Sequence, residues 1–138
     1  MKTEDVAKVL AKCAAFDNRK PSAAVVLAWQ EALHPDMTVE DALMFVSEHY
    51  AQTREWVMPA DLNRAYRKRR RERLSVAELP APPQDASAEQ FLEFVRTTRR
   101  AVAAGQTTED AAMMGYRRIG VKPQITEKGE QNGYASNR

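Results

Sequence analysis

The chain has 138 residues, of which 43% are hydrophobic and 29% charged, with five Gly, one Cys and a net charge of +2. That length suits one modest domain with an appendage, and the scarcity of Val/Ile/Thr runs argues against a sheet protein. A single cysteine excludes an internal disulfide frame and points to a reducing cytoplasm, and the N-terminal M-K-T-E-D-V carries no apolar signal core. No stretch is long and apolar enough for a membrane span, so no membrane association is expected.

Net charge says little, but its distribution says more. Residues 1–63 hold six Lys/Arg and ten Asp/Glu, residues 64–73 hold seven basic residues and one acid, and residues 75–138 are balanced at eight of each. An acidic body therefore carries one basic rod.

The spacing predicts helices in chain order. The first runs from Thr3 or Glu4 to about Ala15, capped by Thr3, with Val6, Val9, Leu10 and Cys13 on its apolar face. Cys13 reads as a core residue, since no basic group is placed beside it. F-D-N-R-K-P, residues 16–21, is a turn. Ser22 caps a second helix to about Leu33, with Val25, Val26, Trp29 and Leu33 inward and Trp29 at the centre of the core. Thr38 caps the third, where T-V-E-D resembles a capping box closed by Asp41; Val39, Ala42, Leu43, Val46 and Tyr50 form its buried stripe to about Gln52.

The fourth helix opens at Pro59, tolerated in a first turn, with Asp61 favourable to the helix dipole. Leu62, Ala65 and Tyr66 can dock on a core. Arg64, Arg67, Lys68, Arg69, Arg70, Arg71 and Arg73 then point almost all round the axis, so the second half is expected to project into solvent or onto an anionic partner. Guanidinium suits bidentate phosphate contact, and five or six such contacts would give a log–log salt dependence of roughly −5.

Residues 75–87, with Pro80, Pro82 and Pro83, read as an extended linker. Ser87 caps a helix over 88–104 with Phe91, Phe94, Val95, Thr98 and Val102 near one face, stopped by Gly105. Thr107 or Thr108 caps a short helix to about Tyr116, and residues 121–138 read as disordered. The expected fold is thus all-α: a compact four-helix N-terminal domain (1–74), a Pro-rich linker (75–87), an amphipathic helical segment (88–120) and a disordered tail. That segment, too short for its own core, must fold back on the domain, dimerise or bind a partner.

Catalytic chemistry finds no footing. His34 and His49 sit in different elements without metal-ligand spacing, and no phosphate-cradling glycine motif or nucleophile elbow occurs. The paired carboxylates Glu4/Asp5, Glu40/Asp41 and Glu109/Asp110 all lie at helix starts, where dipole and capping account for them. No enzyme, cofactor or metal is expected.

The order of V-V-L-A-W-Q-E-A-L, T-V-E-D-A-L-M-F-V-S-E-H-Y and W-V-M-P-A-D-L-N-R-A-Y-R-K-R-R-R-E-R-L resembles small phage and prophage replication proteins of the helicase loader and inhibitor type, over roughly residues 4–74. The resemblance implies a compact all-α N-terminal domain without ATPase activity, acting in DNA replication through a flexible C-terminal segment that contacts the replicative hexameric helicase. The Arg run is denser than is usual there, and the C-terminal part has no aligned counterpart. From layout alone, Phe91, Phe94, Val95 and Val102 are the expected helicase-contacting face. DNA or an initiator is the expected partner of the basic helix, in a cytoplasmic monomer or dimer. The alternatives are a DNA-binding transcriptional regulator, whose recognition helix Val39–Tyr50 would be acidic, and a structural phage morphogenesis adaptor, which would form a large ring.

Overall fold

A computed structural model describes residues 1–123; the expectation of a disordered tail falls, from residue 124 on, outside the described residues. These residues are all-helical, with α1 Thr3–Asp17, α2 Ala23–Ala32, α3 Val39–Gln52, α4 Pro59–Val76, α5 Ala88–Ala103 and α6 Thr108–Ile119. None of these helices is long and apolar enough to cross a membrane.

The starts of the helices follow local chemistry. Ser22, Thr38 and Thr107 each accept a backbone N–H three residues on with the side-chain oxygen, and Ser87 with Gln90 forms a reciprocal capping box. Two expected caps differ. Lys2, not Thr3, occupies the cap position of α1, because the Asp5 carboxylate takes the Lys2 N–H and the Thr3 hydroxyl instead donates to Gln30 on α2. Asp41 does not close a box with Thr38, because its carboxylate is engaged by Arg73 of α4.

The first four helices enclose one core of Val6, Val9, Leu10, Cys13, Trp29, Leu33, Met37, Ala42, Phe45, Val46, Val57, Leu62 and Tyr66. Trp29 and Cys13 are inside, as their periodicity predicts. Val25 is not: it is more than one-third exposed, whereas Met37 from the α2–α3 turn is buried in this core. Helices α1 and α3 run in the same sense, with Lys12 bonding to the Leu43 carbonyl and Asp17 to Tyr50. Helix α4 returns antiparallel to α3, matching Arg73 with Asp41 and Arg69 with Glu48.

Helices α5 and α6 form an antiparallel hairpin, with Gln90 reaching the Ile119 carbonyl and Phe94 meeting Tyr116 edge-on at 5.3 Å. The pair approaches closely at Gly115, where a Cβ would lie 2.7 Å from Phe94 Cε2 and 2.8 Å from Thr98 Cγ2. A smaller core of Ala101, Val102 and Ala111 takes in Leu74 from α4 and Ala77 and Leu79 from the segment that follows.

That segment corrects the expectation of an extended tether. Leu79 packs on the hairpin, Pro83 is buried, and the Glu78 carbonyl accepts the Thr108 hydroxyl at 3.2 Å. Proline fixes an extended backbone, but extended backbone also suits a strap lying against a surface. Of the three fates open to the C-terminal segment, this one is folding back on α4: Arg73 donates to the Ala103 carbonyl at 3.3 Å, and Arg100 pairs with Asp36 at 2.5 Å.

Candidate nucleic-acid interface on helix four

Helix α4 divides its seven basic residues into two sets. At about 100° per residue, Arg69, Arg70 and Arg73 share the side of Leu62 and Tyr66, whereas Arg64, Arg67, Lys68 and Arg71 fall within an opposite arc of about 100°. The inner three have partners. Arg69 lies 3.6 Å from Glu48 and contacts the Met44 sulfur. Arg70 lies 3.2 Å from His34 Nε2 and over the Tyr66 ring at 5.7 Å. Burial and then the Arg70 charge hold the His34 imidazole below its usual range, which favours the neutral ring, and its Nδ1 accepts the Asp36 N–H at 3.2 Å. Arg73 pairs with Asp41 at 3.1 Å.

This corrects the expectation that the second half of the helix stands free. Its inner edge is covered by α3, by the His34 turn and by α5. The long aliphatic stems of arginine let a charged side chain pack against its neighbours while the head finds a carboxylate or carbonyl.

The outer four are all exposed. Arg64 makes only a loose pair with Asp61 at 3.6 Å, and Arg67, Lys68 and Arg71 have no ion pair among the described residues. Ala60, Asn63, Arg64, Arg67 and Arg71 line one shallow depression of about 430 Å³ with no acid on its wall. Asn63 fixes this face against α2 by accepting the His34 N–H and donating to the Ala32 carbonyl, both at 2.8 Å. A second groove of about 650 Å³ opens on the α3 side of the helix, and there Glu48, Glu55, Asp61 and Glu72 offset Arg64, Lys68 and Arg69. The anion-attracting side is therefore the one toward α2.

The expected helicase-contacting face is also divided. Phe94 is fully buried against α6, Val102 is in the small core, and Val95 is partly covered. The register that would have aligned all four for a partner is used to close the α5–α6 hairpin. Phe91 alone of the four is exposed, next to exposed Leu92.

One cluster was not legible as such in the sequence. The D-N-R-K-P turn contains Arg19, whose guanidinium pairs with Asp17 at 2.5 Å and donates to the Val57 carbonyl at 3.0 Å and the Tyr50 hydroxyl at 3.2 Å. It lies between two indoles, 5.3 Å from the Trp29 ring centre and 5.0 Å from that of Trp56. Tyr50 also donates to Asp17. The Arg19 hydrogen bond, helped by that of Tyr50, holds the Asp17 carboxyl down at about 2. No local pattern marks this, because its members come from α1, α2, α3 and the α3–α4 connection.

Among the described residues no three His, Cys, Asp or Glu side chains gather in a way that could hold a metal ion. Comparison of the chain with protein-family models, curated proteins and solved structures finds no match.

Proposed function

We propose that this protein is a non-enzymatic, nucleic-acid-binding accessory protein of the phage DNA-replication type, with the outer face of α4 as its phosphate-binding surface. The observation that carries the reading is the division of the basic helix. Three arginines are used internally, while Arg64, Arg67, Lys68 and Arg71 stay exposed on one arc, three of them without an ion pair among the described residues. Four exposed cations aligned on one helix are disposed to replace counterions along a polyanion. The replication context rests on the resemblance of residues 4–74, and in that context the replicative helicase is the second partner, met through the exposed part of α5 around Phe91 and Leu92.

The test is fluorescence anisotropy with labelled DNA over a salt series. Four phosphate contacts give a log–log slope of about −3 to −4, shallower than seven free cations would give. Arg67→Ala and Arg71→Ala should each weaken binding and reduce the slope by about one. Light scattering of a sizing-column mixture with the host's replicative helicase tests the second contact. Phe91→Asp should abolish that complex without affecting DNA binding. An absence of DNA binding at low salt overturns the phosphate-surface reading.

A further inference from the structure

Trp56 is 57% exposed, yet it is held more firmly than an exposed side chain in a connection needs to be. The backbone on both sides of it is pinned. His49 Nε2 bonds to the Glu55 carbonyl at 2.8 Å, the Val57 N–H donates to the Tyr50 hydroxyl at 3.2 Å, and the Val57 carbonyl takes the Arg19 guanidinium. Val57 itself is fully buried, so the connection cannot roll over without emptying a core position. Arg19 lies under the indole, fixed in turn by Asp17. A cation–π contact accounts for one face of the ring and for its orientation. It does not account for leaving the rest of the largest apolar side chain in water, since the same guanidinium already sits against buried Trp29.

Trp56 stands just before Pro59, where α4 starts, and Ala60 is the first residue of the acid-free depression that runs past Arg64 and Arg67 to Arg71. From Ala60 to Arg71 the helix rises about 16 Å. The exposed indole thus precedes the basic track by four residues along the chain. Phosphate charge alone would be satisfied by a duplex, but in a duplex both faces of each base are covered by their neighbours and an exposed indole gains nothing. An unpaired base offers its face, and stacking on an aromatic side chain combined with a cationic track is the usual physics of sequence-tolerant single-strand binding.

We infer that the polyanion bound by this face is a single-stranded nucleic acid, with one unpaired base stacked on the outer face of the Trp56 indole and the adjoining phosphates on Arg64, Arg67 and Arg71. The inference rests on the phosphate-surface reading above and narrows it. Cation–π support from Arg19 does not compete with the ligand, because the base takes the opposite face of the ring.

The experiment compares three probes on the full chain: a twelve-residue oligothymidylate, the oligouridylate of the same length, and a twelve-base-pair duplex. Tighter binding of the single strands is expected, with quenching of tryptophan fluorescence that saturates with binding. Trp56→Ala should lower single-strand affinity roughly tenfold and leave duplex affinity unchanged, while Trp56→Tyr, which keeps a stacking plane, should recover most of the loss. Arg67→Ala should weaken all three probes alike. Unfolding temperatures of the variants are checked first, and the tyrosine variant carries the test if the alanine variant is unstable. Single-strand binding that is no tighter than duplex binding, or that ignores Trp56→Ala, overturns the inference and leaves the phosphate surface standing. Failure to bind any probe overturns both.

Discussion

The Arg73 guanidinium lies 3.1 Å from Asp41 on α3 and 3.3 Å from the Ala103 carbonyl at the end of α5, so one side chain joins the N-terminal helices to the C-terminal hairpin. Asp41 is only 8% exposed, and no other cation pairs with it among the described residues. Removing Arg73 leaves a nearly buried carboxylate unpaired and takes a donor from a helix C-terminus. Arg73→Ala should cost roughly 2–4 kcal/mol in a denaturant titration, whereas Arg71→Ala, two residues away and exposed, should change stability by less than about 0.5 kcal/mol. Equal losses at the two positions would mean that the inner and outer sets of α4 are not different in kind.

Acid should remove a stabilising charge at Asp17. Its carboxyl is lowered from 3.8 to about 2 by the Arg19 hydrogen bond, so folding favours the ionised form. A depressed carboxylate contributes stability that is complete above about pH 4 and is lost as pH falls from there toward 2. The contribution is on the order of 2 kcal/mol. Urea titrations of the wild type between pH 5 and pH 2.5 should show that decline, and Asp17→Asn should be less stable at pH 7 with a flatter profile. An unchanged profile would remove the Asp17–Arg19 pair from the stability of the turn.

Cys13 should behave as a protected thiol. Burial pushes it from 9.0 up to about 11, so at pH 8 the thiolate is scarcer than in an ordinary cysteine by about 100-fold, before access is counted. A thiol reagent at pH 8 should label it only as fast as the core opens, and immediately in denaturant. Rapid labelling of the native protein would place Cys13 outside the core.

Gly115 is the position at which α5 and α6 come closest, and its backbone is ordinary helix rather than left-handed. On an isolated helix, Gly→Ala gains about 1 kcal/mol of propensity. Here the added methyl would press on Phe94 and Thr98, both fully buried, and overpacking of that kind costs about 1–3 kcal/mol. Gly115→Ala should therefore be neutral to destabilising, with faster amide exchange confined to α5 and α6. A clear gain in stability would show that the hairpin has room to part.

How much of this was readable in advance depends on the range of the interaction involved. The positions of the six helices follow from caps and periodicity within a few residues: Ser22, Thr38, Pro59, Ser87 and Thr107 act on groups no more than four residues away. The N-terminal core was legible for the same reason, because Val6, Val9, Leu10 and Cys13 can share only one face of a helix. Val25 stays exposed because the apolar stripe of α2 is wider than the surface it has to cover, and Met37, outside any periodic segment, is a core residue that periodicity does not mark.

The amino-acid sequence by itself determined that the chain is helical, where most helices start, and that seven cations are concentrated on one of them. Only the tertiary structure decided which of those cations are free. Arg69, Arg70 and Arg73 are chemically the same as Arg64, Arg67 and Arg71, and what separates them is whether Glu48, His34 or Asp41 arrives opposite when α3, the α2–α3 turn and α4 pack together. The same holds for Phe94 and Phe91, one sealed against Gly115 and the other left in solvent. Periodicity assigns a side chain to a face of its own helix, but a face becomes buried or exposed only through a neighbour distant in the chain.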